Sequence, residues 1–132
     1  MMEISFKKED THLVATCLGE WDAPQMTKFV MQMRDNARQL SCTRILADCR
    51  KLSAPPTEFH RFLAGQDVAT FLPPPFKLAV LYVEELINHF GETTAVNRGA
   101  DIHVYPKEEQ ALQWLLTGIA KTADADNTKR RT

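Results

Sequence analysis

The chain has 132 residues, of which 44% are hydrophobic and 25% are charged, and its formal net charge is −1. A chain of this length is predicted to fold as one domain around a single core. Its balanced charge excludes the strongly basic surface that is typical of nucleic-acid-binding proteins, so we expect no nucleic-acid partner. No apolar stretch is long enough to span a membrane, and the first residues lack the apolar core of a signal peptide. We therefore expect no integral membrane segment and a cytoplasmic location.

The residue types that most often form metal or redox sites are sparse. Cys17, Cys42 and Cys49 are odd in number and fall in or beside predicted strands. They are predicted to be reduced, buried thiols rather than a disulfide framework. The four histidines have no metal-ligand spacing, and there is no Cys-x-x-Cys or Gly-rich phosphate loop. We therefore expect neither a metal site nor a cofactor.

The first forty residues predict a β-hairpin followed by an amphipathic helix. Residues 2–8 and 11–18 alternate apolar and polar side chains on either side of a polar turn, as paired antiparallel strands do. Asp22 is predicted to cap the helix, with Gln25 at the spacing of a capping box. The apolar positions that follow recur with the helical period and predict one buried stripe: Met26, Phe29, Val30, Met33, Ala37 and Leu40.

The rest of the chain alternates short apolar runs with stretches of helical period. Such alternation predicts a parallel sheet, because parallel strands need a crossover connection and a helix usually supplies it. A loop is predicted over 50–56, and the polar segment 121–132 is predicted to be a disordered tail that follows one domain over 1–120. The remaining strands are predicted at 44–49, 76–83 and 102–105, and the helices at 57–71, 84–97 and 106–119.

The order of these elements and several motifs in the last third resemble the SpoIIAA-like, STAS-type family of small bacterial proteins. The motifs are Phe90-Gly-Glu-Thr, Asn97-Arg-Gly-Ala, a strand that ends in an aromatic residue, and Glu-Glu-x-Ala-x-x-Trp-Leu over 108–115. The resemblance implies one α/β domain with a mixed, mostly parallel five-stranded sheet. An N-terminal β-hairpin would precede the β–α repeats, and about four helices would lie largely on one side of the sheet. It implies little chemistry, because one fold hosts many functions.

The phosphorylation motif of this family is largely missing. Anti-sigma-factor antagonists carry a phosphorylated serine in an Asp-Ser-Ser/Thr-Gly-Leu motif at the start of the second helix. Thr57 falls near that position, but the aspartate, the second hydroxyl and the glycine are absent. A helix N-terminus favours a phosphate group, whereas threonine is also an ordinary N-cap. Thr57 is therefore a candidate phosphoacceptor or anion site, with capping as the alternative.

The segment after Pro56 is rich in aromatic residues and has two interpretations. It is either part of the core, or it exceeds what the sheet can cover and forms a dimer contact, an apolar pocket or a membrane-facing lid. The second interpretation predicts a ligand or partner surface made of Phe59, His60, Phe62, Leu63, Phe71 and Phe90.

Three further residues are candidates for a cleft. Asp48 is predicted at the carboxyl end of a parallel strand, where ligands bind in open sheets, unless it only bonds the loop amides that follow. Arg98 is a candidate clamp for a carboxylate or phosphate, with a turn that Gly99 ends and an ion pair to a nearby acid as the alternative. His89 is a candidate to face His60 across a cleft, with solvated or otherwise bonded histidines as the alternative. An enzyme would need the side chains of four residues in one pocket: Asp48, His60, His89 and Arg98. Because no catalytic motif occurs, we assign no catalytic residue and expect the protein not to be an enzyme.

These observations leave two functional hypotheses. The first is a non-enzymatic STAS-like binding or signalling module that acts through protein–protein contacts of its second and third helices. The alternative is a carrier or sensor of a small apolar or lipid-like ligand with peripheral membrane contact, by analogy with lipid carriers of the CRAL-TRIO type. A homodimer is expected in either case, because apolar helical surface and an exposed edge strand both favour symmetric association.

Overall fold

Five strands form one sheet in the order in which they occur along the chain. The computed structural model describes residues 2–53 and 56–117. The first strand is antiparallel to the second, and each later strand is parallel to its neighbour. The strands are β1 (Met2–Lys8), β2 (Leu13–Glu20), β3 (Arg44–Ser53), β4 (Lys77–Leu81) and β5 (Asp101–Tyr105).

Helices cover both faces of this sheet unequally. Those before β3, β4 and β5 pack on one face, and the one after β5 packs on the other. The predicted mixed, mostly parallel α/β fold is confirmed. None of the helices in 2–53 and 56–117 is long and apolar enough to cross a membrane. The helices are α1 (Ala23–Gln39), α2 (Glu58–Phe71), α3 (Phe90–Asn97) and α4 (Glu108–Thr117).

Alternating side chains of the strands supply two cores. Odd-numbered positions of β2 up to Cys17 and of β3 up to Cys49, such as Ala15 and Ala47, point toward α1 and the larger core, while Leu46 points toward α4. The smaller core consists of Leu46, Ala79, Leu81, Tyr105, Ala111, Trp114 and Leu115. The predicted tail 121–132 and the end of the last predicted helix lie outside the described residues.

The first helix begins where it was predicted, but the predicted capping box does not form. Asp22 occupies the N-cap position without a side-chain hydrogen bond. The Gln25 side chain instead accepts a hydrogen bond from the backbone N–H of Met2 at 2.9 Å, which ties α1 to β1. Leu40 is 43% exposed because α1 ends at Gln39, whereas the other five positions of the predicted stripe are buried.

Two predicted boundaries are wrong, one because of strand pairing that is distant in sequence and the other because of a local turn. The predicted loop from residue 50 is part of β3, which continues to pair with β2 after a bulge at Cys49 and Arg50. The predicted helix over 84–97 is broken into a 3₁₀ turn, Glu84–Leu86, and the shorter α3. The break falls at His89, whose φ of 61° is left-handed, and the Asn88 side chain accepts the Phe90 N–H at 2.9 Å.

α2 and α3 approach each other closely at a glycine. A Cβ atom on Gly65 would lie 2.5 Å from the carbonyl oxygen of Gly91 and 2.8 Å from the Cβ atom of Thr94. Backbone atoms on the partner helix cannot move aside as a flexible side chain can, so only glycine fits at this position. The pairing of α2 with α3 therefore depends on Gly65.

Replacement of this glycine is expected to destabilise the protein, although alanine normally favours a helix. We expect Gly65→Ala to lower the free energy of unfolding by about 1–3 kcal/mol, because the added methyl group overpacks the helix contact. The measurement is chemical denaturation followed by circular dichroism. Thr70→Ala, at an exposed position of the same helix, is the control and is expected to change stability by less than about 0.7 kcal/mol. Equal stability of the two variants would contradict the close contact.

Candidate binding site

An apolar cavity of about 130 Å³, partly open to solvent, lies between the sheet and the layer formed by α1, α2 and α3. Its walls come from Met26, Phe29 and Val30 of α1 and from inward-facing residues of β3, β4 and β5, including Leu78 and Ile102. Natural cores are close-packed and contain few voids larger than a water molecule. A void of this size within the larger core is therefore a candidate binding site.

The cavity exists because α2 turns its small residues toward the sheet. Ala64, Gly65 and Val68 of α2 line the cavity, while Phe59 is 65% exposed. Phe62 is only half-buried. Had the aromatic residues faced inward, they would have filled this space. The sequence allowed either orientation, because α2 carries apolar residues on two of its faces.

The opposite face of α2 forms an apolar surface with the start of α3. The Asn88 side chain donates a hydrogen bond to the Glu58 carboxylate at 3.0 Å, so the segments that carry Phe59 and Phe90 lie at the same end of the helix pair. Phe90 is 40% exposed. We call Phe59, Phe62, Leu63 and Phe90 the α2–α3 outer surface.

The remaining members of the predicted surface set have other environments. Phe71 packs against the larger core, and the guanidinium carbon of Arg34 lies 5.3 Å from the centre of its ring. His60 is half-buried, and its ring centre is 6.4 Å from that of Phe59. The structure therefore places Phe71 with the core and His60 beside the α2–α3 outer surface.

Arg61 and Tyr82, which the sequence analysis missed, line the cavity together. The Arg61 guanidinium donates to the carbonyl oxygen of Leu86 at 2.9 Å and to the side-chain oxygen of Asn88 at 3.3 Å. Its central carbon lies 5.9 Å from the centre of the Tyr82 ring. Helical spacing was the available signal for Arg61, because it precedes Ala64 and Gly65 by three and four residues and so shares their face.

Glu92 occupies the edge of the cavity between two histidines. Its carboxylate is bonded to the Nδ1 atom of His89 and lies 3.1 Å from the Nδ1 atom of His103 on β5. Burial alone would raise the pKa of Glu92, but the bonds to His103 and His89 outweigh burial and hold its pKa below the ordinary value. These contacts fasten α3 to the edge strand.

The three cysteines differ in their surroundings. Burial raises the pKa of Cys17 to about 12, and burial likewise raises the pKa of Cys49, which lines the cavity. Both are free, buried thiols, as predicted. Cys42 is also free but only half-buried, which differs from the prediction.

Solved structures of other proteins share the fold of this chain. No family model matches the chain, and no curated protein matches it. An anti-sigma factor antagonist from Mycobacterium paratuberculosis superposes with a TM-score of 0.64 over 88% of this chain and 95% of its own, at 13% identity. An uncharacterized protein with a SpoIIAA-like fold from Shewanella loihica superposes with a TM-score of 0.50 over 86% of this chain and 93% of its own, at 15% identity. This chain has a SpoIIAA-like fold.

In this SpoIIAA-like fold, Thr57 caps the second helix. Its hydroxyl oxygen accepts a hydrogen bond from the backbone N–H of His60 at 3.1 Å, and the residue is exposed. This hydrogen bond is the N-cap contact that the capping alternative for Thr57 predicts. Phosphorylation of Thr57 stays a prediction.

Asp48 lies inside β3 rather than at its end, at the point where pairing with β4 stops. Its carboxylate accepts two hydrogen bonds from the Arg50 guanidinium, at 2.9 and 2.8 Å, and one from the Arg50 backbone N–H at 3.1 Å. The side-chain bond from Arg50 holds the pKa of Asp48 below its ordinary value. Asp48 thus stabilises the bulged segment of its own strand.

The side chains of the enzyme hypothesis are not brought together. His89 lines the cavity, whereas Asp48 is paired with Arg50, and His60 lies beside Phe59. The guanidinium carbon of Arg98 stacks 5.3 Å from the ring centre of Phe62, on the outer side of the helix pair. Within 2–53 and 56–117, no group of three or more His, Cys, Asp and Glu side chains could hold a metal ion.

The Glu92 contacts predict an acid-sensitive stability. The pKa of Glu92 is lowered in the folded state. The ionised carboxylate therefore contributes fully to the free energy of unfolding above the unfolded-state pKa of about 4.3, and this contribution is lost as the pH falls through the lower folded-state pKa. We expect the free energy of unfolding to fall more between pH 6 and pH 3 for the wild type than for Glu92→Gln. Urea titrations at a series of pH values measure this difference.

The matched control is Glu85→Gln, at an exposed position of the 3₁₀ turn. It is expected to keep the acid sensitivity of the wild type. If Glu92→Gln and Glu85→Gln had the same pH profile, Glu92 would not be the group responsible.

Proposed function

We propose that this protein is a non-enzymatic binding module that contacts a protein partner through the α2–α3 outer surface. The observation that carries the proposal is the outward orientation of Phe59 and Phe90, which are 65% and 40% exposed. Exposed aromatic residues that lie close together are typical of interaction sites, where such residues supply much of the binding energy. A partner that covers either side chain would remove its apolar surface from water.

The fold supports the same proposal. A protein of the same fold is an anti-sigma factor antagonist, which by its name acts against another protein. The separation of Asp48, His60 and Arg98 from the cavity favours a binding role over a catalytic one. We extend the proposal to self-association, so that the partner may be tested first as a second copy of this chain.

The proposal predicts crosslinks at two defined positions. A photoreactive benzoylphenylalanine placed at Phe59 or at Phe90 is expected to form adducts in cells that produce the protein, because both side chains would lie within the interface. Mass spectrometry of the adduct identifies the partner. An adduct of twice the chain mass of 15.0 kDa identifies a homodimer.

The control places the same photoreactive residue at Gln113, which is exposed on α4 on the other face of the sheet. We expect no specific adduct there. Equal adducts at Gln113 and at Phe59, or none at either aromatic position, would contradict an interface on α2 and α3. Because Phe59 and Phe90 are exposed, replacing them is not expected to unfold the chain.

The cavity favours a second candidate function, the binding of a small apolar ligand. A cavity of about 150 Å³ in another protein stays dry and binds benzene, and the cavity of this protein is about 130 Å³. Its size therefore favours a benzene-sized ligand over a long acyl chain. This comparison narrows the carrier hypothesis to small molecules.

The second candidate predicts stabilisation by toluene. A ligand that binds only the folded state stabilises it by an amount that grows with the logarithm of ligand concentration above Kd, so toluene is expected to raise the Tm of the wild type. Ala64→Leu, which would fill the cavity from α2, is expected to abolish the shift. Thr70→Leu adds a side chain at an exposed position of the same helix and is expected to keep it. No toluene shift in the wild type would reject this candidate.

A further inference from the structure

Arg61 places a positive charge on the wall of an apolar cavity. It lies on the face of α2 that also presents Ala64 and Gly65 to the cavity. Its two described hydrogen bonds go to neutral acceptors, the Leu86 carbonyl and the Asn88 amide oxygen. Neither acceptor balances the charge. Arg61 is half-buried, so an anion that reached its guanidinium from the cavity would add a charge-assisted hydrogen bond in a partly dehydrated place.

No carboxylate of the described residues contacts Arg61 directly, and Glu58 reaches it only through the Asn88 amide, which bonds both side chains. Within the described residues, no ion pair joins Arg61 to an aspartate or glutamate. Glu92, the acidic residue that also lines the cavity, is engaged by His89 and His103. The cavity wall therefore carries a guanidinium that makes no direct ion pair within the described residues.

The Tyr82 ring lies beside this cation, and its hydroxyl is a hydrogen-bond donor. It is 7% exposed and lines the cavity, and its hydroxyl oxygen has no hydrogen-bond partner in the described part of the chain. Burial raises the pKa of Tyr82, so the phenol keeps its proton and remains a donor near neutral pH. An unpaired buried hydroxyl costs free energy, which an acceptor reaching it from the cavity would recover.

We infer that the cavity binds a small apolar carboxylate, with its hydrocarbon part against the sheet and α1 and its carboxylate between Arg61 and Tyr82. This inference rests on the second candidate function and specifies the class of ligand. The planar guanidinium matches the two oxygens of a carboxylate, and the phenol donates a further hydrogen bond. The site also lies at the carboxyl edge of the parallel strands, since Tyr82 directly follows β4.

A second unpartnered donor lines the same cavity from the other side. The indole N–H of Trp21, which directly follows β2, is buried and has no partner within the described residues. Two unpaired donors in one cavity wall agree with a ligand that carries oxygen atoms. We assign the carboxylate to Arg61 and Tyr82 because Arg61 is the one lysine or arginine among the described residues that line the cavity.

The experiment compares toluene with benzoate, which share an aromatic ring and differ in the carboxylate. Isothermal titration calorimetry on the full chain is expected to give tighter binding of benzoate than of toluene in the wild type. Arg61→Gln is expected to weaken benzoate binding about tenfold or more, the usual effect of losing a charge-assisted hydrogen bond, and to leave toluene binding unchanged. Tyr82→Phe, which removes only the hydroxyl, is expected to weaken benzoate binding by a smaller factor.

The matched control is Arg98→Gln. Arg98, like Arg61, stacks on an aromatic ring near the α2–α3 contact, but it does not line the cavity. It is expected to keep wild-type affinity for both probes. Thermal unfolding of each variant verifies that it is folded, and retained toluene binding verifies that the cavity is intact.

The outcomes separate this inference from the candidate function on which it rests. Binding of toluene but not of benzoate, or equal benzoate affinity in Arg61→Gln and the wild type, would overturn the carboxylate assignment and leave an apolar site. Binding of neither probe to the wild type would reject both. Weakened benzoate binding in Arg98→Gln as well would attribute the effect to overall charge rather than to Arg61.

Discussion

The contact between α2 and α3 at Gly65 is the constraint on which the rest of the helical layer depends. Because a side chain at this position would collide with the backbone of α3, the two helices are held at one distance and one rotation. That rotation directs Ala64 toward the sheet and Phe59 toward the exterior. The cavity and the exposed aromatic surface are thus two results of one packing arrangement.

The sheet contributes a second constraint at the carboxyl ends of its parallel strands. β3 and β4 stop pairing at Asp48 and Leu81, while β3 continues to pair with β2 as far as Ser53. The chain after β4 therefore leaves the sheet while the neighbouring strand, β3, continues. Tyr82 lies at this divergence and lines the cavity together with Leu52. The bonds from Arg50 to Asp48 hold the bulged strand at the same place.

Local patterns in the sequence predicted the fold but not the orientation of α2. The alternation of apolar runs with helical stretches was sufficient for the parallel sheet, and the stripe on α1 was correct except at Leu40. α2 carries apolar residues on two faces, so periodicity alone could not decide whether Phe59 or Ala64 faces the sheet. The capping box at Asp22 and the end of β3 were mispredicted because partners distant in sequence, Met2 and β2, determined them. Arg61 was overlooked because its role depends on Tyr82, which is distant in sequence.

The cavity also determines how the folded chain responds to hydrostatic pressure. The part of this 130 Å³ cavity that stays free of water enlarges the native molecule without adding atoms, and that volume is eliminated once the chain unfolds. The unfolded chain therefore occupies the smaller total volume, and compression favours it, in proportion to the void that is eliminated. A ligand bound between α1, α2 and the sheet would fill this empty volume. The chain would then resist compression better when the cavity is occupied than when it is empty.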